Sequence, residues 1–462
     1  MVLDRIVART REDVTRRQRD VPLARLLAGL PRSERDFAGS LRRPRTGFVM
    51  ECKRASPSEG LIRDGYDPVT IAEAYAPFAD AISVLTDGPF FQGSHEHLRQ
   101  VRDRVLVPVL CKDFVIGPYQ VVEARAAGAD AILLMLSVLD DAGYRDCADT
   151  AASVGIATLT EVHSGAELDR ALRLGAEVIG INNRDLTTMT VDLDTTRRLA
   201  PGIPEDRVVI CESGLRTHSE ARSLVPLVDG FLVGTTLMKS PDLPQAVRTL
   251  VFGLTKVCGL TRPDDARSAW EAGASHGGLI FAPESVRRVA PDQAAEIRRA
   301  APLNWVGVFV NDALDRISDL AAGLDLAAVQ LHGEETKEQI GQLRSRLPAG
   351  TEVWKAVRVR DRIPRLAETG ADRMVLDTWR EGQRGGTGQR FDWSPVRNHP
   401  DRERIVLGGG LGPEVVTEAE ALGVGGLDVN SGVEDHPGIK DPARLAAFFG
   451  ARRGTGRKRS TA

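Results

Sequence analysis

The sequence predicts an α/β protein that consists of two consecutive (β/α)8 barrels, the TIM-barrel fold. Three observations lead to this prediction. Short apolar segments alternate with Ala-rich segments of helical periodicity, which is the pattern of a parallel sheet with helical crossovers. The alternation runs through eight repeats, starts again near residue 255 and runs through eight more. Polar residues follow many of the apolar segments, as expected for barrels with an active site on one rim.

Composition excludes several classes of function. The chain has 462 residues, and its 61 Lys and Arg residues nearly balance 64 Asp and Glu residues, which gives a net charge of -3 and no electrostatic signature of nucleic-acid binding. No apolar run is long enough to cross a membrane. Five cysteines without a Cys-x-x-Cys motif favour a reducing cytoplasm and argue against a zinc site. We therefore expect a cytoplasmic monomer without metal, nucleic-acid or membrane partners.

The first barrel is predicted over residues 1–254, with extra Arg-rich helices before residue 46. Helical segments such as Tyr119–Gly128 end in glycine, as helices commonly do. The eight predicted strands are Phe48–Lys53, Ala81–Asp87, Val107–Phe114, Ala131–Leu136, Ala157–Val162, Val178–Asp185, Val208–Gly214 and Gly230–Leu237.

Acids and amines end these strands. Glu51 and Lys53 alternate with Cys52, so their side chains point to the same face. Taken alone, such a pair is usually a surface ion pair. Further polar residues end other strands, however, and the ends of parallel barrel strands share one rim. We expect the whole group to form one catalytic cup: Glu51, Lys53, Lys112, Glu161, Asn182, Arg184 and Glu212.

Two glycine-containing turns indicate a phosphate site in the first barrel. Glu212–Leu215 and Val233–Met238 follow the seventh and eighth strands, where barrels commonly bind phosphate through backbone N–H groups. Ser56, in the first loop, is expected to add a hydroxyl group. The alternative is a pair of tight turns with nothing bound.

The second barrel is predicted over residues 255–452, without a Pro/Ser-rich linker before it. The basic tail 453–462 is expected to be disordered. The eight predicted strands are Thr255–Leu260, His276–Phe281, Asn304–Val310, Ala327–Gly333, Glu352–Val359, Arg373–Trp379, Arg404–Leu411 and Gly426–Glu434.

The second rim has a different set of residues. Cys258 shares a face with Lys256 and therefore points into the barrel, whereas Cys52, Cys111 and Cys211 point outward. A single inward cysteine is more often a packing residue, but Asp377 on the same rim favours a catalytic pair. The other candidates on this rim are Arg287, Gln330, His332 and the glycine-containing segments Gly385–Gly388, Gly408–Leu411 and Asp428–Glu434.

The first barrel resembles indole-3-glycerol-phosphate synthase. The resemblance rests on residues 48–60, Leu110–Phe114, Leu159–Val162, Gly180–Leu186 and Cys211–Leu215. It implies closure of the indole ring of 1-(2-carboxyphenylamino)-1-deoxyribulose 5-phosphate, with loss of CO₂ and water and without metal or cofactor.

This resemblance also implies residue roles. Lys112 is the expected general acid, Glu161 the base or proton relay, and Lys53 the partner of the anthranilate carboxylate. Which lysine donates the proton in each step stays open. Four residues are expected to orient the reacting groups: Glu51, Asn182, Arg184 and Glu212. The phosphate is expected to bind to Ser56, Ser213, Gly214, Gly234 and Thr235. The aromatic ring is expected to contact Phe114 and Leu133.

The second barrel resembles phosphoribosylanthranilate isomerase over about residues 255–450. The motifs are Lys256–Leu260, Val329–Gly333, Val375–Asp377 with Gly385–Gly388, and Gly426–Glu434. That family catalyses an Amadori rearrangement. The loop Thr378–Arg384 is longer and more charged than the motif needs.

Roles follow from this second resemblance as well. Asp377 is the expected acid that opens the ribose ring, and Cys258, as thiolate, is the expected base at C2′. We expect strand-end N–H groups and Arg287 to favour the thiolate. Arg287 is also expected to bind the anthranilate. The remaining substrate contacts are expected from Gln330, His332, Gly386, Gly409, Gly410, Asp428 and Asn430.

The two resemblances together predict consecutive steps of tryptophan biosynthesis on phosphorylated substrates, with the second barrel supplying the first. Three alternatives remain. An isomerase of aminoimidazole-carboxamide ribotides would use two acids, and Cys258 occupies the place of one. A metal-dependent phosphosugar epimerase would need a His/Asp metal set, which the sequence does not supply. In the third alternative, one barrel is an inactive scaffold.

Overall fold

The computed structural model describes residues 2–185, 188–359, 362–378 and 390–457. The chain divides into two units. The first ends at Val247 and resumes at Thr455, and the second comprises Arg248–Gly454. The boundary falls within the helix Leu243–Phe252.

Eight parallel strands form a closed barrel in the first unit, as predicted. Strand β1 pairs with β8 through Gly47 and Gly230, and this pairing closes the ring. The strands are β1 (Gly47–Cys52), β2 (Ala81–Leu85), β3 (Val109–Lys112), β4 (Ala131–Met135), β5 (Ala157–Val162), β6 (Val178–Asn182), β7 (Val208–Glu212) and β8 (Gly230–Val233).

Helices connect these strands, and several begin at a polar residue that satisfies free backbone N–H groups. Asp67, Ser94 and Ser164 each accept a hydrogen bond at a helix start. The helices before and between the strands are Val2–Asp20, Leu23–Leu27, Phe37–Leu41, Pro68–Tyr75, Gly88–Phe91, His95–Arg104, Pro118–Ala126, Asp141–Val154, Gly165–Arg173, Asp194–Leu199, His218–Leu224 and Thr235–Met238.

The interior and the amino-terminal end of the first barrel stabilise the fold. Val49, Leu110 and Leu159 are fully buried in one apolar cluster inside the ring. At the amino-terminal strand ends, buried aspartates accept hydrogen bonds from neighbouring strands. The N–H of Phe48 donates to Asp80 at 2.9 Å, and that of Val109 donates to Asp130 at 2.9 Å. These contacts stabilise the amino-terminal rim, whereas active sites of such barrels lie at the opposite, carboxyl-terminal rim.

The second unit contains another closed barrel of eight parallel strands, also as predicted. It closes where Leu254 pairs with Gly426. The strands are β9 (Leu254–Val257), β10 (His276–Ile280), β11 (Asn304–Phe309), β12 (Ala328–Leu331), β13 (Glu352–Val359), β14 (Arg373–Thr378), β15 (Ile405–Leu407) and β16 (Gly426–Val429). The helices are Pro263–Ala272, Pro291–Ala300, Leu314–Gly323, Lys337–Arg344, Leu366–Thr369, Val416–Glu420 and Pro442–Arg453.

Most strands end earlier than the sequence suggests. The largest difference follows β16, where a strand is predicted to Glu434 but ends at Val429. A 3-10 turn, Ser431–Val433, follows, and Glu434–His436 then pairs with Ile439–Lys440 as a small antiparallel ladder. A glycine and a serine in the turn favour this departure from the strand.

The tail is described only up to Arg457. The backbone N–H of Arg457 donates to the carbonyl of Val228 within the first unit. The rest of the predicted disordered tail lies outside the described residues. No helix among the residues described here is long and apolar enough to cross a membrane.

Candidate active sites

A cavity of about 500 Å³ lies at the carboxyl-terminal strand ends of the first barrel. The structure brings together nearly all predicted site residues of this barrel there. Those that line the cavity are Glu51, Lys53, Lys112, Phe114, Leu133, Glu161, Asn182, Arg184, Glu212, Ser213, Gly214, Gly234 and Thr235. Ser56 instead lines a smaller neighbouring cavity, which shares Lys53 and Thr235 with the main one.

Lys112 lies between two carboxylates at the centre of the main cavity. Its Nζ is 2.9 Å from Glu161 Oε2 and 3.3 Å from Glu212 Oε2. The two glutamates are buried, and β5 and β7 bring them to the lysine at the end of β3. Glu212 packs directly against Gly180. A Cβ atom on residue 180 would lie 1.9 Å from Glu212 Oε1, so a larger residue would displace the carboxylate.

The three groups titrate differently. Burial opposes the ammonium form of Lys112, but the carboxylates of Glu161 and Glu212 more than offset it and raise the lysine pKa. Burial also opposes ionisation of Glu161, yet Lys112 lowers the pKa of that carboxyl to about 2. Burial and the charge of Glu161 raise the pKa of Glu212 to about 8. At neutral pH the cavity therefore contains an ammonium group, a carboxylate and a neutral carboxylic acid.

A second ion pair and an amide complete the polar side of the cavity. Lys53 Nζ is 2.9 Å from Glu51 Oε1. The Asn182 side chain helps to lower the Glu161 pKa, and its Oδ1 accepts a hydrogen bond from the backbone N–H of Arg184 at 3.0 Å. The predicted group is therefore one connected site.

His163 belongs to this site and was not predicted. Its Nε2 is 3.4 Å from Glu161 Oε1, and its Nδ1 is 3.3 Å from Glu167 Oε2. Burial opposes the charged imidazolium, but the hydrogen bond that His163 donates to Glu167 and the charge of Glu161 raise the His163 pKa. His163 comes two residues after Glu161, so strand alternation places both on one face and was the signal available in the sequence.

The turn after β7 has a backbone conformation that suits an anion site, and glycines in the turns after β7 and β8 pack closely against other residues. Ser213 and Gly214 both have positive φ, 62° and 90°. A Cβ atom on Gly214 would lie 2.5 Å from Val191 Cγ1, and one on Gly234 would lie 2.4 Å from Glu51 Oε1. Glycine is therefore required at both positions for the observed packing.

The apolar side of the cavity includes residues that the sequence analysis missed. Phe114 and Leu133 were predicted. Phe91 lies against Phe114 with ring centroids 5.8 Å apart, and Met135 also lines the wall. Met135 shares the face of Leu133 on β4, which would have indicated its position.

Among the described residues, one cluster has the residue types of a metal site. Ligand atoms of His95, Cys111 and Asp113 lie within 4.8 Å of one another. Asp113 already accepts hydrogen bonds from Thr86 Oγ1 and the N–H of Phe114. Burial raises the pKa of the Cys111 thiol, so the metal-binding thiolate is disfavoured. The prediction that the protein needs no metal stays a prediction.

In the second barrel, Cys258 lies beside Lys256, as strand alternation predicts. Lys256 is fully buried, and its Nζ is 2.7 Å from Asp428 Oδ2 and 2.8 Å from Gln330 Oε1. Cys258 is close enough to this ammonium group for the charge of Lys256 to favour the thiolate. Gly278 provides the space, since a Cβ atom there would lie 2.8 Å from both Cys258 Sγ and Lys256 Cε.

Asp377 connects to this cluster through two side chains. His332 Nε2 is 3.5 Å from Asp377 Oδ2, and His332 Nδ1 is 3.2 Å from Gln330 Nε2. The backbone N–H of Thr378 donates to Asp377 Oδ1 at 2.8 Å. Cys258 and Asp377 are therefore the two ends of one series of neighbouring polar side chains across the rim.

Arg287 has a different partner from the one expected. Its guanidinium group binds Glu434 with two contacts, at 2.8 and 2.7 Å. Lys256 and Arg287 both lie close enough to Cys258 for their charges to interact with the thiolate, so the expectation that Arg287 favours it stays a prediction. The sequence analysis also missed Lys440, a buried lysine that contacts Glu434 and Asn430, both at 2.9 Å.

The glycines after β15 have the conformation expected of an anion-binding turn. Gly409 and Gly410 have φ values of 73° and 72°. A Cβ atom on Gly409 would lie 2.5 Å from Thr378 Oγ1 and 3.0 Å from Asp377 Oδ1. Gly386 and most of the long loop after Asp377 lie outside the described residues.

Two family models match the chain. "Indole-3-glycerol phosphate synthase" matches residues 3–250, and "N-(5'phosphoribosyl)anthranilate (PRA) isomerase" matches residues 255–451. Curated relatives match almost the whole chain. "Tryptophan biosynthesis protein TrpCF" of Yersinia pestis is 49% identical over 98% of this chain and 94% of its own length. The protein of the same name from Vibrio cholerae is 49% identical over 97% of this chain and 95% of its own.

Proposed function

We propose a mechanism for each barrel from one premise, that the chain belongs to the TrpCF family of bifunctional enzymes, with a synthase and an isomerase domain. The chain is a bifunctional enzyme of tryptophan biosynthesis: the second barrel has the isomerase activity and the first the decarboxylating synthase activity. The inactive-scaffold alternative has no support.

In the isomerase barrel, Asp377 gives a proton to the ribose ring oxygen of N-(5-phosphoribosyl)anthranilate. The C1′–O bond breaks, and the anilino nitrogen takes up the positive charge as an iminium ion. Cys258, as thiolate, then removes the C2′ proton, and the C–H electrons form the C1′–C2′ double bond. Tautomerisation gives 1-(2-carboxyphenylamino)-1-deoxyribulose 5-phosphate. The network from Cys258 to Asp377 supports this pairing of base and acid.

In the synthase barrel, Lys112 protonates the ketone of that product as the indole ring closes. The observation that supports this role is the position of Lys112 between two carboxylates, which keep it charged. Glu161 is ionised and acts as the base or proton relay in the dehydration. Lys53 binds the anthranilate carboxylate, while Asn182 and Glu212 orient the reacting groups.

Substrate phosphate binds at glycine-containing turns at the strand ends of each rim. In the first barrel these are Ser213, Gly214, Gly234 and Thr235, with Ser56 from the adjoining cavity. In the second they are Gly409 and Gly410, with Asn430 and the undescribed Gly386. Arg287 binds the anthranilate of the isomerase substrate. Phe114 and Leu133 contact the aromatic ring in the synthase.

We further propose that the chain works as a cytoplasmic monomer without nucleic acid. The five cysteines are free thiols, which suits a reducing compartment. The residues of each site come from one barrel of one chain. We place the domain boundary between 247 and 254, where the unit boundary and the ends of the two matched families fall.

Two isosteric variants test these roles when the chain converts phosphoribosylanthranilate to indole-3-glycerol phosphate. Asp377→Asn removes the acid, and we expect unreacted phosphoribosylanthranilate. Glu161→Gln removes the base, and we expect the deoxyribulose phosphate to accumulate. Each change should slow its own step about 10²–10⁴-fold, the usual contribution of a positioned acid or base. Accumulation of the same compound in both variants would contradict the assignment.

A further inference from the structure

The isomerase base needs a cation, since burial works against it. Cys258 is 6% exposed, and burial raises the pKa of its thiol. A thiol with an ordinary pKa near 8.5 is only a few per cent thiolate at neutral pH. Some group at the site must therefore favour the charged form.

The groups that face Cys258 come from four elements. Lys256 precedes it on β9, Asp428 lies on the adjacent β16, and Lys440 belongs to the small antiparallel ladder. Arg287 lies in the loop after β10, and His332 and Asp377 lie farther along the network. Arg287 and Lys440 both bind Glu434, which offsets their charges.

Lys256 differs from the other cations because its side chain packs at Gly278 together with the thiol. Like that of Lys440, its side chain is fully buried. Asp428 holds its Nζ at 2.7 Å, and Gln330 accepts a second hydrogen bond at 2.8 Å. Two donors of the ammonium group are thus used by Asp428 and Gln330, and the Cys258 thiol lies beside the same side chain at Gly278.

We propose that Lys256 is a positioning residue of the isomerase that holds Cys258 as a thiolate, and that Asp428 sets the strength of this effect from the other side of the lysine. The proposal rests on the proposed role of Cys258 as base. Lys256 touches no reacting atom. It acts because its charge favours the thiolate, whereas the Asp428 carboxylate opposes the thiolate and holds the lysine protonated.

Two substitutions should shift the thiol in opposite directions. Lys256→Gln removes the cation but can still donate to Asp428, so the pH midpoint for Cys258 ionisation should rise by about one unit or more. That shift lowers the thiolate fraction at pH 7.5 about tenfold. Asp428→Asn removes the opposing carboxylate, so the charge of Lys256 is balanced by the thiolate instead and the midpoint should fall. General damage to the fold would not shift the two variants in opposite directions.

The measurement is the rate of iodoacetamide alkylation of Cys258 between pH 6 and 10, followed by mass spectrometry of its peptide in the full-length chain. Lys355→Gln is the matched control, because Lys355 is another strand lysine of this barrel with its own glutamate partner, Glu335, at 3.0 Å. The control should leave the midpoint unchanged.

The pH profile of isomerase kcat/KM separates this inference from the proposed function. If both shifts appear in alkylation and in kcat/KM, the inference and the role of Cys258 are supported. If they appear in alkylation alone, Lys256 controls the thiol but Cys258 is not the base. Unchanged alkylation midpoints in Lys256→Gln and Asp428→Asn would overturn the inference. If Lys256→Gln does not fold, the direction of the Asp428→Asn shift decides alone, and an unchanged or raised midpoint overturns it.

Discussion

At the scale of single residues, the synthase site combines groups that one would expect to repel each other. Glu161 and Glu212 both contact Lys112, and they remain compatible because only one of them is ionised at neutral pH. The pKa of Glu161 is lowered to about 2 and that of Glu212 is raised to about 8. Opposite shifts in neighbouring carboxyl groups are typical of acid–base sites.

Glu212→Gln should therefore retain synthase activity within about tenfold at pH 7, because glutamine resembles the neutral acid that is present there. Glu212 loses its proton as pH rises through about 8, which adds a second negative charge beside Glu161. We expect wild-type kcat/KM to fall through that range and the variant to lack this fall. Glu177→Gln, at an exposed surface glutamate, is the control. If kcat/KM of Glu212→Gln falls at alkaline pH in the same way as that of the wild type, the fall is caused by the ionisation of another group.

The sequence predicted which residues lie at each rim better than it predicted the partners of those residues. Strand alternation placed Glu51 with Lys53 and turned Cys258 inward, because parity depends only on sequence position. It could not show that Arg287 binds Glu434 or that Lys440 reaches Asn430, since the first contact joins distant segments and the second depends on the unpredicted turn after β16. The same parity rule could have predicted that His163 and Met135 lie at the synthase site.

At the scale of elements, the loops at the strand ends determine which groups reach each cavity. The strands themselves were predictable from apolar periodicity, and all sixteen are present in two closed barrels. Their ends were not, because a polar loop can continue the alternation of a strand. After β16 the turn Ser431–Val433 interrupts the predicted strand and brings Glu434 to Arg287.

Gly214→Ala tests the proposed phosphate turn of the synthase. Alanine at φ 90° is strained by about 1–3 kcal/mol, and its Cβ would lie 2.5 Å from Val191 Cγ1. The turn must shift, so KM for the phosphorylated substrate should rise about tenfold or more if the turn binds phosphate. Steady-state kinetics and thermal unfolding measure the two effects.

Gly175→Ala provides the control for that change. Gly175 also has a positive φ, 78°, but a Cβ atom there would have no neighbour within 4 Å. We expect a comparable loss of stability without a change in KM. If both variants have a wild-type KM, the turn after β7 does not hold the phosphate.

At the scale of the whole molecule, each unit has its own closed barrel and its own apolar core. The unit boundary precedes the last residues of the helix Leu243–Phe252. Phe252 packs edge-on against Phe449 with centroids 5.3 Å apart, and its carbonyl accepts a hydrogen bond from Arg452. Residues 248–254 therefore contribute to the core of the second unit.

A second-barrel piece that begins at Arg248 should be more stable than one that begins at Thr255. Loss of a buried phenylalanine costs about 3–5 kcal/mol, and Phe252 is 3% exposed. Urea denaturation of the two pieces, with isomerase activity as a check of folding, measures the difference. Equal stabilities would place the boundary after Gly253 instead. Failure of both pieces to fold would indicate a core shared between the barrels.

The central claim is that this chain contains two complete and separate active sites. It is tested most directly by measuring both activities in Lys112→Ala and in Cys258→Ser. We expect Lys112→Ala to lose about 10²–10⁴-fold in synthase kcat with isomerase unchanged. Cys258→Ser should nearly abolish the isomerase, since a serine hydroxyl ionises far less readily than a thiol, and should leave the synthase intact. Loss of both activities in either variant, or near-normal turnover of the affected step, would contradict the claim.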